Sequence, residues 1–190
     1  MRAFIAIPIP EEVRRSVAEL QRELARAEAD VKWVEPALLH VTLKFLGDID
    51  ARQHERLIPE LSAVAAAAAA FSCALDEPGT FPDRGIPRVV WVGVGEGHAP
   101  LRGLAGEVER AAVAAGCARD ARGFSAHLTL GRVRSGRGSR LLREALESVA
   151  WRPPPGWTIG SAGLYQSVLG PAGPRYTVLR EFPLGSSNVL

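Results

Sequence analysis

The tripeptide His-x-Thr occurs twice in this sequence, as His-Val-Thr at residues 40–42 and as His-Leu-Thr at residues 127–129. The 190 residues include only four His and five Thr, so random placement gives about 0.1 such tripeptides. An imidazole titrates near neutral pH and can act as an acid or as a base, while a neighbouring hydroxyl can donate a hydrogen bond to a phosphate oxygen. The pair therefore predicts acid–base chemistry at a phosphate group.

Each tripeptide lies in an apolar run that is typical of a buried strand, because Val, Leu, Phe and Thr dominate it and Gly closes or interrupts it. Residues two apart on a strand share a face, which places His40 with Thr42 and Lys44, and His127 with Thr129. These faces are predicted to line a cleft. The alternative is that each His is a hydrogen-bonded core residue and each Thr an ordinary strand former.

The surroundings of the two tripeptides repeat along the chain. Strand-like runs at 2–9 and 88–95 begin 86 residues apart, and the two motif histidines are 87 residues apart. The later predicted elements are helices at 51–70 and 139–150 and strands at 71–75, 158–168 and 175–182. We therefore predict two similar lobes whose pseudo-twofold arrangement brings both His-x-Thr strands together across a central groove. The alternative is that strand–helix–strand is a common unit and the matching spacing a coincidence.

Composition is typical of a soluble globular protein, with 47% hydrophobic residues and a net charge of +2. The first apolar run is too short for a signal peptide, and no segment has the roughly 18–20 apolar residues of a membrane span. Cys73 and Cys117 lack metal-ligand spacing and are expected to be buried free thiols in a reducing cytoplasm. The sequence predicts no zinc or magnesium site.

Nearly all of the positive charge is Arg, a residue well suited to binding phosphate. Five arginines follow the second motif, at positions 132, 134, 137, 140 and 143, and are interpreted either as a basic flap or as a solvated surface. Arg132 lies five residues after His127, so a regular strand would turn it away from the motif face. A β-bulge at Gly131 would redirect it toward the cleft.

These motifs and the repeat resemble the two-histidine (2H) phosphoesterases, and most closely the RNA 2',3'-cyclic phosphodiesterases, also called 2'-5' RNA ligases. The resemblance covers nearly the whole chain. The matching segments are Arg-Ala-Phe-Ile-Ala at 2–6, His-Val-Thr-Leu-Lys-Phe-Leu-Gly at 40–47, Pro-Arg-Val-Val-Trp at 87–91, Phe-Ser-Ala-His-Leu-Thr-Leu-Gly-Arg at 124–132 and the closing strands from 164 to 179. Ala126 is a small departure, since Pro often precedes the second His in such sequences.

The resemblance implies an α+β bilobal fold for residues 1–190 as a single domain, with two antiparallel sheets flanked by helices and a central cleft lined by both motifs. It implies no metal or other cofactor. The implied substrates are RNA ends or nucleotides with a 2',3'-cyclic phosphate, which is opened to a 2'-phosphate. The reverse bond change would join RNA ends through a 2'-5' linkage without ATP. We expect a monomer with no obligate protein partner, because two lobes can supply a complete site.

The resemblance also implies roles for the motif residues. His40 is expected to be the proton donor and His127 the proton acceptor, although the sequence by itself does not orient the pair. The hydroxyls of Thr42 and Thr129 are expected to donate to the nonbridging phosphate oxygens. Arg132 is expected to offset the negative charge that develops on those oxygens.

Contacts to the rest of the substrate are less well defined. Lys44, on the predicted face of the first motif, is a weaker candidate for an RNA backbone contact, and its alternative is a solvated charge at the cleft rim. Trp33, Phe124, Tyr165 and Tyr176 could stack on a nucleobase or could belong to the core. Two rival functions remain: a related phosphodiesterase that acts on ADP-ribose cyclic phosphate or 2'-5' oligonucleotides, and a non-catalytic module that binds RNA ends.

Overall fold

The computed structural model describes residues 1–121, 123–171 and 173–185. Within them the chain forms four α-helices, a short 3₁₀ helix at Pro36–Leu38 and ten β-strands. The helices are α1 (Glu11–Ala25), α2 (Ala51–Ala67), α3 (His98–Ala114) and α4 (Ser139–Ser148). The strands are β1 (Arg2–Pro8), β2 (Val31–Trp33), β3 (His40–Asp48), β4 (Phe71–Cys73), β5 (Leu75–Phe81), β6 (Val89–Val94), β7 (His127–Val133), β8 (Trp157–Ile159), β9 (Ser161–Gly170) and β10 (Gly173–Pro183).

Eight of these strands form one antiparallel sheet in the order β10-β9-β1-β3-β7-β6-β5, with β2 also paired to β7. The strands that carry the two motifs, β3 and β7, are neighbours at the centre of this sheet. They are joined through one pair, in which Val41 lies opposite Leu128. Strands β4 and β8 form a separate two-stranded sheet.

The large sheet has an approximate twofold axis between β3 and β7. On one side lie β1 and β9 and on the other β6 and β5, so β1 corresponds to β6 and β9 to β5, while β10 extends the sheet beyond β9 only. In the short sheet, Ser72 and Thr158 are paired at the middle and lie 86 residues apart, which is the spacing of the repeat. The two halves of the chain exchange their outer strands, because β5 from the first half pairs with β6 and β9 from the second half pairs with β1.

The helices cover one face of the large sheet, and strand alternation decides which side chains meet them. Helix α1 buries an apolar stripe repeating at intervals of three and four residues, formed by Val13, Val17, Leu20 and Leu24. The sheet contributes to the same core Ile5, Ile7, Val41, Leu43, Leu128 and Leu130. The histidine and threonine of each motif alternate with these core residues and lie partly exposed on the opposite face.

The α+β class and the alternation of strands and helices are confirmed. Helix α2 ends at Ala67 instead of residue 70, because Ala68 has an extended backbone and Ala69 pairs with Gly185. The strand expected at 71–75 is two strands, the second of which continues to Phe81. The sheets of the two lobes are continuous with each other, because the motif strands pair directly.

Cys73 and Cys117 are free and buried, as the sequence predicts. Burial raises the pKa of the Cys73 thiol to about 12. No helix in the described ranges is both long enough and apolar enough to cross a membrane. The predicted domain end at residue 190 lies outside the described residues.

Candidate active site

The pair that joins β3 to β7 sets the geometry of the two motifs. Because the middle residues of the tripeptides lie opposite each other in an antiparallel pair, His40 lies level with Thr129, and Thr42 lies level with His127. The two histidines are therefore diagonal neighbours, and diagonal positions on adjacent strands are about 7–8 Å apart. A phosphate group between the rings would have an imidazole on each side and a hydroxyl beside each imidazole.

The orientation of each ring is set by a backbone carbonyl two residues earlier in the chain. His40 Nδ1 lies 2.7 Å from the carbonyl oxygen of Leu38, and His127 Nδ1 lies 2.8 Å from that of Ser125. Since a carbonyl oxygen only accepts, each Nδ1 carries a proton and donates it. The nitrogen left for proton exchange with a ligand is Nε2 in both histidines.

Both imidazoles are held toward the neutral form. Burial lowers the pKa of His40 from its ordinary value, and the hydrogen bond to the Leu38 carbonyl opposes this effect. Burial likewise lowers the pKa of His127, and the bond to the Ser125 carbonyl opposes it. The positive charge of Arg132 also lowers the pKa of His127, so the two sites differ by a cation beside the second histidine.

Aromatic rings pack around His40. Phe4 stacks on it with ring centroids 4.8 Å apart, and Tyr176 meets it edge-on at 5.4 Å. Tyr165, a predicted substrate contact, stacks on Phe4 at 5.2 Å and is one ring removed from the histidine. Phe4 is not among the predicted site residues, although strand alternation along residues 2–9 places it on the face opposite the core.

An aromatic ring also contacts His127. Phe81, at the end of β5, meets it edge-on with centroids 5.1 Å apart and is 36% exposed. Arg143 of α4 donates to backbone carbonyls in the loop 83–85, which fixes the segment directly after this ring. Phe81 is not among the predicted site residues, because the predicted strand ends at residue 75 and no sequence motif surrounds Phe81.

A β-bulge in β7 turns Arg132 toward the motif face. The register between β6 and β7 shifts directly after the second motif, where Leu130 is an extra residue. Leu130 and Val133 both pack on the core side, so the exposed Arg132 lies on the motif face. Its charge acts on His127. The bulge expected at Gly131 is therefore present, one step from the predicted residue.

The bulge is stabilised by a buried amide and by a glycine. Gln21 of α1, which is 6% exposed, donates to the carbonyl oxygens of Val34 at 2.8 Å and Leu130 at 2.9 Å. At Gly131 an added Cβ would lie 2.6 Å from Val31 Cγ1, which is closer than real Cβ contacts. A glycine is therefore required where the bulged strand passes β2.

The prediction that Lys44 faces the cleft is wrong. The register between β1 and β3 also shifts directly after the first motif, so alternation changes phase between Leu43 and Lys44. The Lys44 side chain is 1% exposed, and its Nζ lies 2.6 Å from Glu109 Oε2 and 2.9 Å from the carbonyl oxygen of Ala118. Lys44 therefore forms a buried ion pair with α3 and is not available to RNA.

The phase change places Phe45, instead of Lys44, on the motif face. Phe45 is 51% exposed, and its ring centroid lies 6.3 Å from that of Phe4. It follows the first motif histidine by five residues, as Arg132 follows the second, so matching positions in the two lobes hold an apolar ring and a cation. Trp33 and Phe124 pack against the core, which was the alternative to base stacking for both.

Symmetry-related His-x-Thr strands at the centre of one sheet define a two-histidine phosphoesterase fold. The family model described as LigT-like phosphoesterase matches this chain twice in succession, over residues 7–91 and 92–176. The chain belongs to the LigT-like phosphoesterase family. The double match also agrees with the internal repeat predicted from the sequence.

Similar proteins cover nearly the whole chain. The RNA 2',3'-cyclic phosphodiesterase of Archaeoglobus fulgidus is 35% identical over 182 residues, which are 96% of this chain and 99% of that protein. The protein of the same name from Aquifex aeolicus is 32% identical over 186 residues, 97% of this chain and 98% of that one. The crystal structure of a Thermus thermophilus protein superposes with a TM-score of 0.79 at 29% identity, covering 99% of this chain and all of that one. The crystal structure of E. coli LigT complexed with 3'-AMP superposes with a TM-score of 0.77 at 27% identity, covering 96% of this chain and 97% of that one.

Proposed function

We propose that this chain hydrolyses the 2',3'-cyclic phosphate at the ends of RNA or nucleotides and leaves a 2'-phosphate. The observation that carries the proposal is the pair of imidazoles from two lobes on the same face of the sheet, each bound through Nδ1 and each with no hydrogen bond from Nε2 to the described residues. The choice of substrate is supported by relatives that are matched over nearly their whole length and are named RNA 2',3'-cyclic phosphodiesterase.

Opening the ring to a 2'-phosphate forms a bond from phosphorus to a water oxygen and breaks the bond from phosphorus to the 3' oxygen. The water must lose a proton and the 3' oxygen must gain one. Attack and departure occur on opposite sides of phosphorus, which suits imidazoles at diagonal positions. His127 Nε2 accepts the proton of water, and His40 Nε2 donates a proton to the 3' oxygen. Exchange with solvent then restores both rings.

Charges and rings near the two histidines support this assignment. Arg132 lowers the pKa of His127 and so favours the neutral form that a base needs. The face of Phe4 lies 4.8 Å from His40, and an aromatic face attracts a cationic ring. A cation beside His127 suits a proton acceptor, and an aromatic face beside His40 suits a proton donor.

The remaining motif side chains suit the charge that develops on phosphorus. Thr42 and Thr129 each stand level with the histidine of the other lobe, so their hydroxyls are placed to donate to the nonbridging oxygens. Arg132 offsets the negative charge on those oxygens. No step of this reaction requires a metal ion.

The proposal is tested by removing each imidazole. His40→Ala and His127→Ala should each lower kcat/KM for a 2',3'-cyclic phosphate by about 10²–10⁴-fold, the usual contribution of a general acid or base. His54→Ala, on α2, is the matched control and should retain activity. EDTA should have no effect. A motif variant that keeps the wild-type kcat/KM, or a wild-type activity that EDTA abolishes, would contradict the proposal.

A panel of substrates separates this function from its rivals. ADP-ribose cyclic phosphate and 2'-5' oligonucleotides would use the same histidines, so relative kcat/KM values decide among them. The reverse reaction is measured as a 2'-5' linkage formed from two RNA ends without ATP. A protein that only binds RNA ends would return a cyclic-phosphate RNA unchanged in a single-turnover assay.

We also propose that the chain acts as a monomer, as one bilobal domain and in the cytoplasm. One chain supplies both motifs, and its central sheet continues from one lobe into the other. Buried free thiols at Cys73 and Cys117 suit a reducing compartment. Sedimentation at micromolar concentration tests the first point, since a dimer with lower activity on dilution would contradict it.

A further inference from the structure

Two cations lie directly opposite each other on the motif face. Strand β2 pairs with β7 in a register that sets Lys32 against Arg132. Opposed residues on adjacent antiparallel strands share a face and have Cβ atoms about 4.5–5.5 Å apart. The neighbours of the lysine, Val31 and Trp33, pack against the core, so Lys32 points the other way, with Arg132.

Neither charge has an acidic partner among the described residues. Both side chains are exposed, and the salt bridges found there involve neither of them. At the next step of the same ladder, the Arg134 backbone N–H donates to the Asp30 carbonyl oxygen at 2.8 Å, and the Asp30 carboxylate accepts from Ser135 Oγ. Like charges directly opposite each other destabilise a sheet unless an anion neutralises them.

Some other arginines of the same segment are already engaged. Arg140 pairs with Glu144 within α4. Arg143 donates to the carbonyl oxygens of Asp83 and Gly85, each at 2.6 Å. These two side chains serve the protein's own structure, whereas Lys32 and Arg132 have no side-chain partner among the described residues and lie on the motif face.

The two cations continue the line of the second motif. Arg132 follows His127 by five residues, one of them the extra residue of the bulge, which puts their backbones roughly 13 Å apart at about 3.3 Å per residue. The guanidinium is near enough to the histidine to lower its pKa. Beyond the motif, β2 replaces β3 as the neighbour of β7, so Lys32 lies level with Arg132 along β7 and not level with the histidines.

We propose that Lys32 binds a backbone phosphate of an RNA strand whose cyclic end lies between the two histidines. This inference rests on the proposed function and adds to it a preference for oligonucleotide ends over mononucleotides. Arg132 contacts the reacting phosphate, and Lys32 holds the strand behind it.

The test compares two substrates in matched variants. Lys32→Gln removes the charge at the site, and Arg22→Gln removes one from the exposed surface of α1, where Arg22 pairs with Glu19. The substrates are a mononucleoside 2',3'-cyclic phosphate and a hexanucleotide that ends in the same cyclic nucleotide. For the hexanucleotide, Lys32→Gln should lower kcat/KM about fivefold to tenfold at low salt. The slope of log kcat/KM against log salt concentration should become shallower by about one. The mononucleotide should change by less than about twofold, and Lys32→Arg should restore the hexanucleotide rate.

If Lys32→Gln and Arg22→Gln lower kcat/KM for the hexanucleotide equally, the effect comes from the overall positive charge of the protein, and the proposal is overturned. Equal losses on both substrates would also overturn it. Direct binding of a hexanucleotide with a 2'-phosphate end, titrated at several salt concentrations, keeps this result separate from the proposed function. If wild type hydrolyses neither substrate, the proposed function fails, and the salt slope of binding in Lys32→Gln still decides whether the phosphate site exists.

Discussion

The buried ion pair between Lys44 and Glu109 predicts an unequal response to loss of each partner. The Lys44 side chain is 1% exposed and that of Glu109 is 26% exposed. Glu109→Gln leaves an ammonium in the interior with the Ala118 carbonyl as its charge-free partner. Lys44→Met leaves a carboxylate that water reaches and whose Oε1 still accepts from the Asp120 backbone at 3.0 Å.

The difference should be measurable as free energy of unfolding. Removing one partner of a buried pair costs about 3–5 kcal/mol, because the other charge is left uncompensated. We expect about 3 kcal/mol for Glu109→Gln, since the Gln oxygen still accepts, and about 1 kcal/mol for Lys44→Met. At about 2–4 °C per kcal/mol for a chain of this size, Tm falls by about 6–12 °C and about 2–4 °C. The double variant should resemble Lys44→Met, because no buried charge remains.

Urea denaturation of the wild type, both single variants and the double variant completes the thermodynamic cycle. Glu107→Gln is the control, because it removes the exposed partner of Arg110 from the same helix and should cost less than about 0.5 kcal/mol. The reasoning is refuted if Lys44→Met costs as much as Glu109→Gln. It is also refuted if the costs of the two single variants add in the double variant.

The pH optimum of kcat/KM should lie below about 6.5, because burial lowers the pKa of both motif histidines, and Arg132→Gln should move the limb set by His127 to higher pH. Initial rates across the acid range check this, and an optimum above neutrality contradicts it. Gly131→Ala should lower Tm, because its Cβ would overlap its β2 neighbour, whereas Gly103→Ala, which meets open space on α3, should not. Calorimetry compares the two, and equal Tm values argue against the overlap. Cys73, buried and with a pKa of about 12, should not react with DTNB in the folded protein. Reaction of Cys73 with DTNB in the absence of denaturant would contradict this prediction.

The sequence predicts the motif face well because strand alternation is local. In both runs the His and Thr alternate with Val or Leu, and this alternation is enough to put both imidazoles on one side of a sheet. The repeat then indicates that the two strands meet, and the structure pairs them through Val41 and Leu128. These conclusions need only spacing, which the chain displays directly.

The two β-bulges differ in how well the local sequence predicts them. Gly131 signals one bulge, because a glycine inside a strand run is unusual and calls for an explanation. The first lobe bulges at the matching position with Leu43 and Lys44, neither of which carries such a signal. Applying the pseudo-symmetry to the bulge, as well as to the histidines, would have turned Lys44 inward and Phe45 outward.

Contacts between distant segments account for the rest of what was missed. Lys44 meets Glu109 across 65 residues of chain, and Phe81 reaches His127 from a strand of the other half. Such contacts depend on how helices and outer strands dock on the sheet. Apolar patterning specifies which face is covered, but it does not specify which charged or aromatic side chains meet there.

The exchange of outer strands means that neither half of this chain is a self-sufficient unit. Without β5 from the first half, β6 would expose an unpaired edge, and without β9 from the second half, β1 would do the same. The internal repeat is therefore interlaced, and its two copies have to fold together. Because each imidazole sits in a lobe completed by the other half, the spacing between the two imidazoles is secured by the cooperative stability of the entire molecule. Catalytic competence and global structure should therefore be lost at the same point of a denaturation curve.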